Sequence, residues 1–112
     1  MAGVLAISRF RYDEVDAATA QEELARCLQG LGACPGFLAG AVGRALDDPG
    51  LWVLETRWES VGAYRRALSS YEIKLSVVPL LSRALDEPSA FEVIVGEGAT
   101  KPNEAKPRGT VP

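Results

Sequence analysis

The chain has 112 residues, 47% of them hydrophobic and 24% charged, enough for one domain that buries its own core without staples. A net charge of −3 argues against a nucleic-acid-binding surface, and the absence of histidine excludes an imidazole base, haem ligand or metal ligand. No apolar run reaches the ~20 residues of a membrane span, and no charged n-region precedes the first apolar residues, so a cytoplasmic protein without membrane or nucleic-acid partners is expected.

Val4 to Tyr12 alternate, with Val4, Ala6, Ser8, Phe10 and Tyr12 on one face and Leu5, Ile7, Arg9 and Arg11 on the other, the period of a strand. Asp13-Glu14-Val15-Asp16 reads as a turn, with Asp16 or Thr19 as helix N-cap and Glu22 three residues after Thr19. The helix that follows carries Ala20, Leu24, Cys27, Leu28 and Leu31 on one stripe and is ended by Gly30, Gly32 and Pro35-Gly36. Phe37 to Leu46 reads as a second strand, small-sided through Ala39, Gly40, Ala41 and Gly43, which signals a bulge or a close approach. Asp47-Asp48-Pro49-Gly50 is a turn, so Leu51 to Trp58 returns as an antiparallel neighbour.

Ser60 caps a second helix with the apolar stripe Val61, Tyr64, Ala67, Leu68 and Tyr71. A helical pattern from Tyr71 to Leu85 contains Pro79, which kinks or splits it. Ser89 to Gly96 reads as the last strand, with Phe91, Val93 and Val95 on one face and Ile94 on the other. From Glu97 the composition turns to Gly, Pro, Lys, Asn, Glu and Thr, so residues 1–96 are read as the domain and 97–112 as a disordered tail. The order β-α-β-β-α-β is that of ferredoxin-like α+β folds, a four-stranded antiparallel sheet with helices on one face. The other face keeps Leu5, Ile7, Leu38 and Val42 or their alternates, more apolar surface than a monomer exposes. A two-fold homodimer, a dimeric α/β barrel, is expected to cover it.

The densest chemical signal is Glu55-Thr56-Arg57-Trp58-Glu59-Ser60 with Tyr64 six residues beyond the tryptophan. A strand end and a helix start aim two large aromatics at one space between sheet and helix. Each also reads as a core aromatic, Tyr64 with a hydroxyl that needs a partner when buried. Trp52, on the same strand face, reads as core or dimer packing. Ser8, inward in the middle of the first strand, is placed to touch a ligand. Arg9 is a candidate anion stabiliser at a cavity mouth, and Tyr71 is a second candidate phenol. Arg57 alternates away from Trp58 and reads as an ion-pair partner of Glu55, Glu92 or another subunit. Cys27 and Cys34 make no zinc spacing and read as a buried thiol and a loop thiol. No phosphate loop, nucleophile elbow or carboxylate pair is present.

Cys34-Pro35-Gly36-Phe37 before the second strand, and the Trp58 segment after an Asp-Pro-Gly hairpin, resemble the antibiotic biosynthesis monooxygenase family over Val4 to Val95. The resemblance implies a dimeric barrel. It further implies a monooxygenase that uses molecular oxygen on a phenolic, quinol or anthrone-like aromatic with no flavin, haem or metal. Trp58 matches the family's strand-end tryptophan, expected to wall the cavity with a free indole N–H. Tyr64 matches a tyrosine of the aromatic-oxygenating members, expected to donate a proton to the oxygenated intermediate. Two departures stand out: Leu54 replaces an asparagine carried by such members, and Arg66, Ala67 and Leu68 occupy the region where many members place a histidine. The asparagine–tryptophan–histidine set of haem-degrading relatives is incomplete, since the sole asparagine is Asn103 in the tail. A non-catalytic dimeric module that binds or senses aromatic ligands, and a cofactor-free isomerase or cyclase, are the alternative readings.

Overall fold

The computed structural model describes residues 3–98. Strand β1 (Val4–Arg11) leads through a 3-10 turn at Glu14–Asp16 into helix α1 (Ala17–Gly32), and strands β2 (Phe37–Arg44) and β3 (Leu51–Trp58) form the hairpin. Helices α2 (Val61–Ser69), α3 (Tyr71–Ser76) and α4 (Val78–Leu81) precede strand β4 (Ala90–Glu92). The antiparallel order β2-β3-β1-β4 is the ferredoxin-like α+β arrangement.

Register follows from alternation: Val4 lies opposite Trp58 and Phe10 opposite Trp52, so the apolar residues of β1 and β3 share one face. That face is buried against Ala20, Leu24, Cys27 and Leu31 of α1, as the stripe predicts. The uncovered face differs in part from expectation. A bulge between Phe37 and Ala39 reverses the alternation of β2, which turns Val42, opposite Leu54, into the core. The face away from the helices instead carries Leu5, Ile7, Leu51, Val53, Ala39, Ala41 and Phe91, interrupted by Arg9, Arg57 and Glu55. Small residues in β2 do serve a close approach: a Cβ on Gly40 would lie 2.6 Å from the Leu28 side chain and 2.9 Å from the Glu55 carbonyl oxygen.

At its start α1 departs from the expected capping. Neither Asp16 nor Thr19 caps by its side chain: Thr19 lies inside the helix, and Asp16 has φ −100° and ψ 21° because the chain arrives through the 3-10 turn rather than extended. Ser60 does cap α2, its Oγ accepting from the Ala63 N–H at 3.1 Å. The stripe of α2 ends sooner than the sequence suggests. Ser70 is extended (φ −68°, ψ 151°), which resets the helical phase so that α3 buries Ile73 and leaves Tyr71 76% exposed. Pro79 splits the remaining helix, sitting in the first turn of α4 where its missing N–H costs nothing. β4 is shorter than predicted: Val93 N–H still reaches the Gly3 carbonyl at 2.9 Å, but Ile94 and Val95 are 80% and 87% exposed and outside the sheet. Of the expected tail, residues 99–112 lie outside the described residues.

Tyr12, past the end of β1, ties the helices to the sheet. Its O–H donates to Glu23 Oε1 at 3.0 Å, and the Arg83 guanidinium pairs with the same carboxylate while lying 5.6 Å from the Tyr12 ring centroid. Burial first, then the Glu23 contact, pushes the Tyr12 phenol from 10.0 to about 12. A group that holds its proton more tightly when folded stabilises the fold fully below its unfolded pKa and loses that contribution as pH rises. Stability is therefore expected to fall between pH 10.0 and about 12. Urea unfolding across that window, compared with Tyr12→Phe, checks this. Equal pH dependence of the two proteins would show that Tyr12 is not the group responsible.

Candidate functional site

The two sequence segments that carry the family resemblance meet in space. Gly36 adopts φ +89°, open to glycine at little cost, and its carbonyl accepts from the Glu59 N–H at 2.9 Å. That turn sits on the first turn of α2, where a Cβ on Gly36 would lie 2.4 Å from the Ala63 Cβ. Phe37 then leaves the turn to meet Trp58 edge-on, centroids 5.4 Å apart at 87°. Trp58 meets Tyr64 at 5.9 Å and 60°. These T-shaped contacts suit the ring quadrupoles and leave Trp58 only 1% exposed.

The indole N–H of Trp58 is not free, contrary to expectation: it donates to Thr56 Oγ1 at 2.9 Å. Two residues apart on a strand, the two side chains share a face. Thr56 is the one buried polar residue among the described residues. Tyr64 is half-buried, and burial pushes its phenol up, so the hydroxyl is protonated at neutral pH.

Between sheet and helices lies a cavity of about 20 Å³, lined by Ala6, Ser8, Leu31, Leu54, Thr56, Tyr64, Leu68 and Leu81. That is room for about one water molecule. The lining residues with polar side chains are Ser8, Thr56 and Tyr64, each with a hydroxyl, and the others are aliphatic. Ser8 and Tyr64 are thus brought together, while Trp58 stands behind the wall, against Thr56 and Tyr64. Arg9 is not brought to this cavity. Strand alternation places it on the opposite sheet face from Ser8, where it pairs with Glu87 at 3.3 Å. Tyr71 is not brought there either, for the phase reset at Ser70 turns it outward. Thr56 escaped the sequence reading, although its place two residues before Trp58 on an inward strand face was a usable signal. Leu54, at the position of a family asparagine, makes that part of the wall apolar.

A larger groove of about 570 Å³ runs between α1 and the α3–α4 segment, with Cys27, Gly30, Val77 and Leu80 at its floor and Glu23, Arg26 and Arg83 at its rim. None of the predicted aromatic site residues lines it. Cys27 and Cys34 are free, and burial pushes both thiols up, away from nucleophilic thiolate character. Among the described residues, no three His, Cys, Asp or Glu side chains gather to hold a metal. Arg57 pairs with Glu55 at 2.6 Å, one of the ion pairs expected of it.

Several solved structures share this fold. SnoaB, a cofactor-independent oxygenase from Streptomyces nogalater, is 19% identical, covering 87% of this chain and 96% of its own, with a TM-score of 0.66. Rv0793 from Mycobacterium tuberculosis is 18% identical over 87% of this chain and 98% of its own, at 0.64. A conserved protein from Methanosarcina mazei is 16% identical over 83% and 92%, at 0.65. Identities this low speak for fold alone. No protein of curated function matches the sequence. The antibiotic biosynthesis monooxygenase pattern matches residues 3–76, which span β1 to α3 and include both the Pro35-Gly36 turn and the Trp58–Tyr64 segment. By that match the chain belongs to the antibiotic biosynthesis monooxygenase family.

Proposed function

We propose that the protein is a cofactor-independent monooxygenase that oxygenates a small phenolic, quinol or anthrone-type aromatic with molecular oxygen. The observation that carries this reading is that three neutral hydroxyl-bearing residues, Ser8, Thr56 and Tyr64, line a cavity beside Trp58 whose other lining residues are aliphatic. Family membership and the fold shared with a named cofactor-independent oxygenase support it. In such chemistry the deprotonated substrate carbon attacks dioxygen and forms one C–O bond. The resulting peroxide takes a proton from a donor, the role given to Tyr64. Loss of the second C–H proton with O–O cleavage leaves a carbonyl and one water, so a substrate CH₂ and O₂ become C=O and H₂O. The hydroxyls stabilise the anion while Leu31, Leu54, Leu68 and Leu81 keep water away.

A cavity of about 20 Å³ is more than tenfold below the ~300 Å³ lower range of ligand pockets. Substrate therefore enters by displacing wall side chains, with the partly buried Leu68 of α2 and Leu81 of α4 as the gate. The apolar face of Leu5, Ile7, Leu51, Val53 and Phe91 supports a homodimer formed sheet to sheet. The apolar wall at Leu54 favours one other reading, a dimeric module that binds an aromatic without turnover.

Oxygen uptake by the chelator-treated protein, confirmed as a two-chain species by light scattering, is measured against hydroquinones, anthrones and hydroxynaphthalenes. Catalytic uptake above autoxidation is expected, with a loss of about 10²-fold or more in Tyr64→Phe. Saturable binding without uptake would replace the oxygenase reading by the binding module. Full activity in Tyr64→Phe would remove the proton-donor role.

A further inference from the structure

We propose that Thr56 is a substrate-binding residue, donating its hydroxyl hydrogen to the anionic oxygen of a bound phenolate or enolate, and that Trp58 is the positioning residue that orients it. The identity of the ligand rests on the oxygenase reading above. Thr56 is 3% exposed, lines the cavity, and accepts the Trp58 indole N–H at 2.9 Å. A threonine hydroxyl has one hydrogen and two lone pairs, and an indole N–H can only donate. The direction of the chain from Trp58 to Thr56 therefore cannot reverse, and the remaining hydrogen of Thr56 points away from the indole. β3 is an inner strand, with Thr56 paired to Ala6 on one side and Gly40 on the other, so the neighbouring backbone acceptors serve the sheet. Among the described residues Thr56 Oγ1 donates to no protein acceptor, which leaves its hydrogen for a ligand of the cavity that the residue lines.

This arrangement also sets the class of substrate. The cavity wall contains hydroxyls and aliphatic groups and no carboxylate, amine or thiol. Fixed O–H donors in a dry site stabilise negative charge, but none of these groups is a base at neutral pH. A ligand of this cavity ionises by its own acidity, as an acidic phenol or enol does. A C–H acid such as an anthrone fits through its enol form, which ionises at oxygen, whereas one that needs a protein base does not.

The test is an anaerobic spectroscopic titration of the full chain with para-nitrophenol, whose acid and anion absorb at different wavelengths. The bound probe is expected to ionise at lower pH than the free probe. Thr56→Val should weaken phenolate binding relative to phenol binding by about tenfold or more, which is one unit or more in the ionisation of the bound probe. Thr56→Ser should restore the wild-type value. Trp58→Phe should give a partial loss, since Thr56 keeps its hydrogen but not its orientation. Thr56→Val strands a buried indole N–H, so the double variant Thr56→Val/Trp58→Phe, which removes both partners, supplies a second protein that tolerates the change.

Unchanged phenolate selectivity in Thr56→Val and in the double variant would overturn the assignment. So would a wild-type protein that fails to bind the probe, or binds it without favouring the anion. Oxygen is absent throughout, which separates this result from turnover. Phenolate selection lost in Thr56→Val, in a protein that takes up no oxygen with any substrate, sinks the oxygenase reading and keeps Thr56. Full oxygen uptake with selectivity independent of Thr56 does the reverse.

Discussion

Trp58→Ala is expected to lower stability by about 3–5 kcal/mol, a large share of the ~5–15 kcal/mol that native domains commonly have. The ring is 1% exposed and lies between Phe37 and Tyr64, each in a T-shaped contact. Such aromatic pairs add about 0.5–1.5 kcal/mol beyond area burial, and the space left on truncation is walled by the sheet, which cannot collapse to fill it. Val4 lies directly opposite on β1 and loses its packing partner as well. Urea unfolding monitored by circular dichroism measures the change, with the midpoint expected to fall at constant slope. Trp58→Phe keeps most of the ring and should cost much less. A loss of less than about 1 kcal/mol for Trp58→Ala would contradict a core position.

Gly36→Ala should cost about 2–5 kcal/mol from two separable sources, backbone strain and overpacking. At φ +89° an L side chain is strained whatever the space around it. In addition, the new Cβ would lie 2.4 Å from the Ala63 Cβ, on an α2 turn held by the Ser60 cap and by the Glu59–Gly36 hydrogen bond. The two sources can be told apart by Ala63→Gly, which costs roughly 1 kcal/mol in helix propensity alone. Combined with Gly36→Ala it should recover the overpacking share, giving a favourable coupling of about 1–3 kcal/mol in a double-mutant cycle. Additive losses would mean that the contact with Ala63 is relieved by backbone movement. Because the Gly36 turn and the α2 start bring Phe37 and Tyr64 against Trp58, this variant also tests how far the candidate site depends on that joint.

Much of the site was legible in the chain. The Asp-Pro-Gly turn and the alternation of Leu51 to Trp58 placed the tryptophan inward at a strand end, and the Ser60 cap placed Tyr64 one turn into the helix behind it. What could not be read were features that depend on phase. One extra residue at the β2 bulge moves Val42 from the open face to the core. One extended residue at Ser70 removes Tyr71 from a stripe it continues on paper. Period-based reading assumes an unbroken repeat, and each of these single-residue insertions shifts everything after it.

Element order, the hairpin, the helix at Ser60, the inward face of β1 and β3, and the meeting of Trp58 with Tyr64 were determined by the sequence itself. Local alternation, turn chemistry and capping act over a few residues and need no knowledge of the partner surface. The tertiary structure alone decided which polar atoms meet: the Trp58 N–H is given to Thr56, Arg9 lies across the sheet from Ser8, and a cavity of about 20 Å³ is lined by three hydroxyl-bearing residues. Those outcomes depend on distances of a few ångströms between elements remote in the chain, where a hydrogen bond or a packed leucine is made or lost by a fraction of a residue's width.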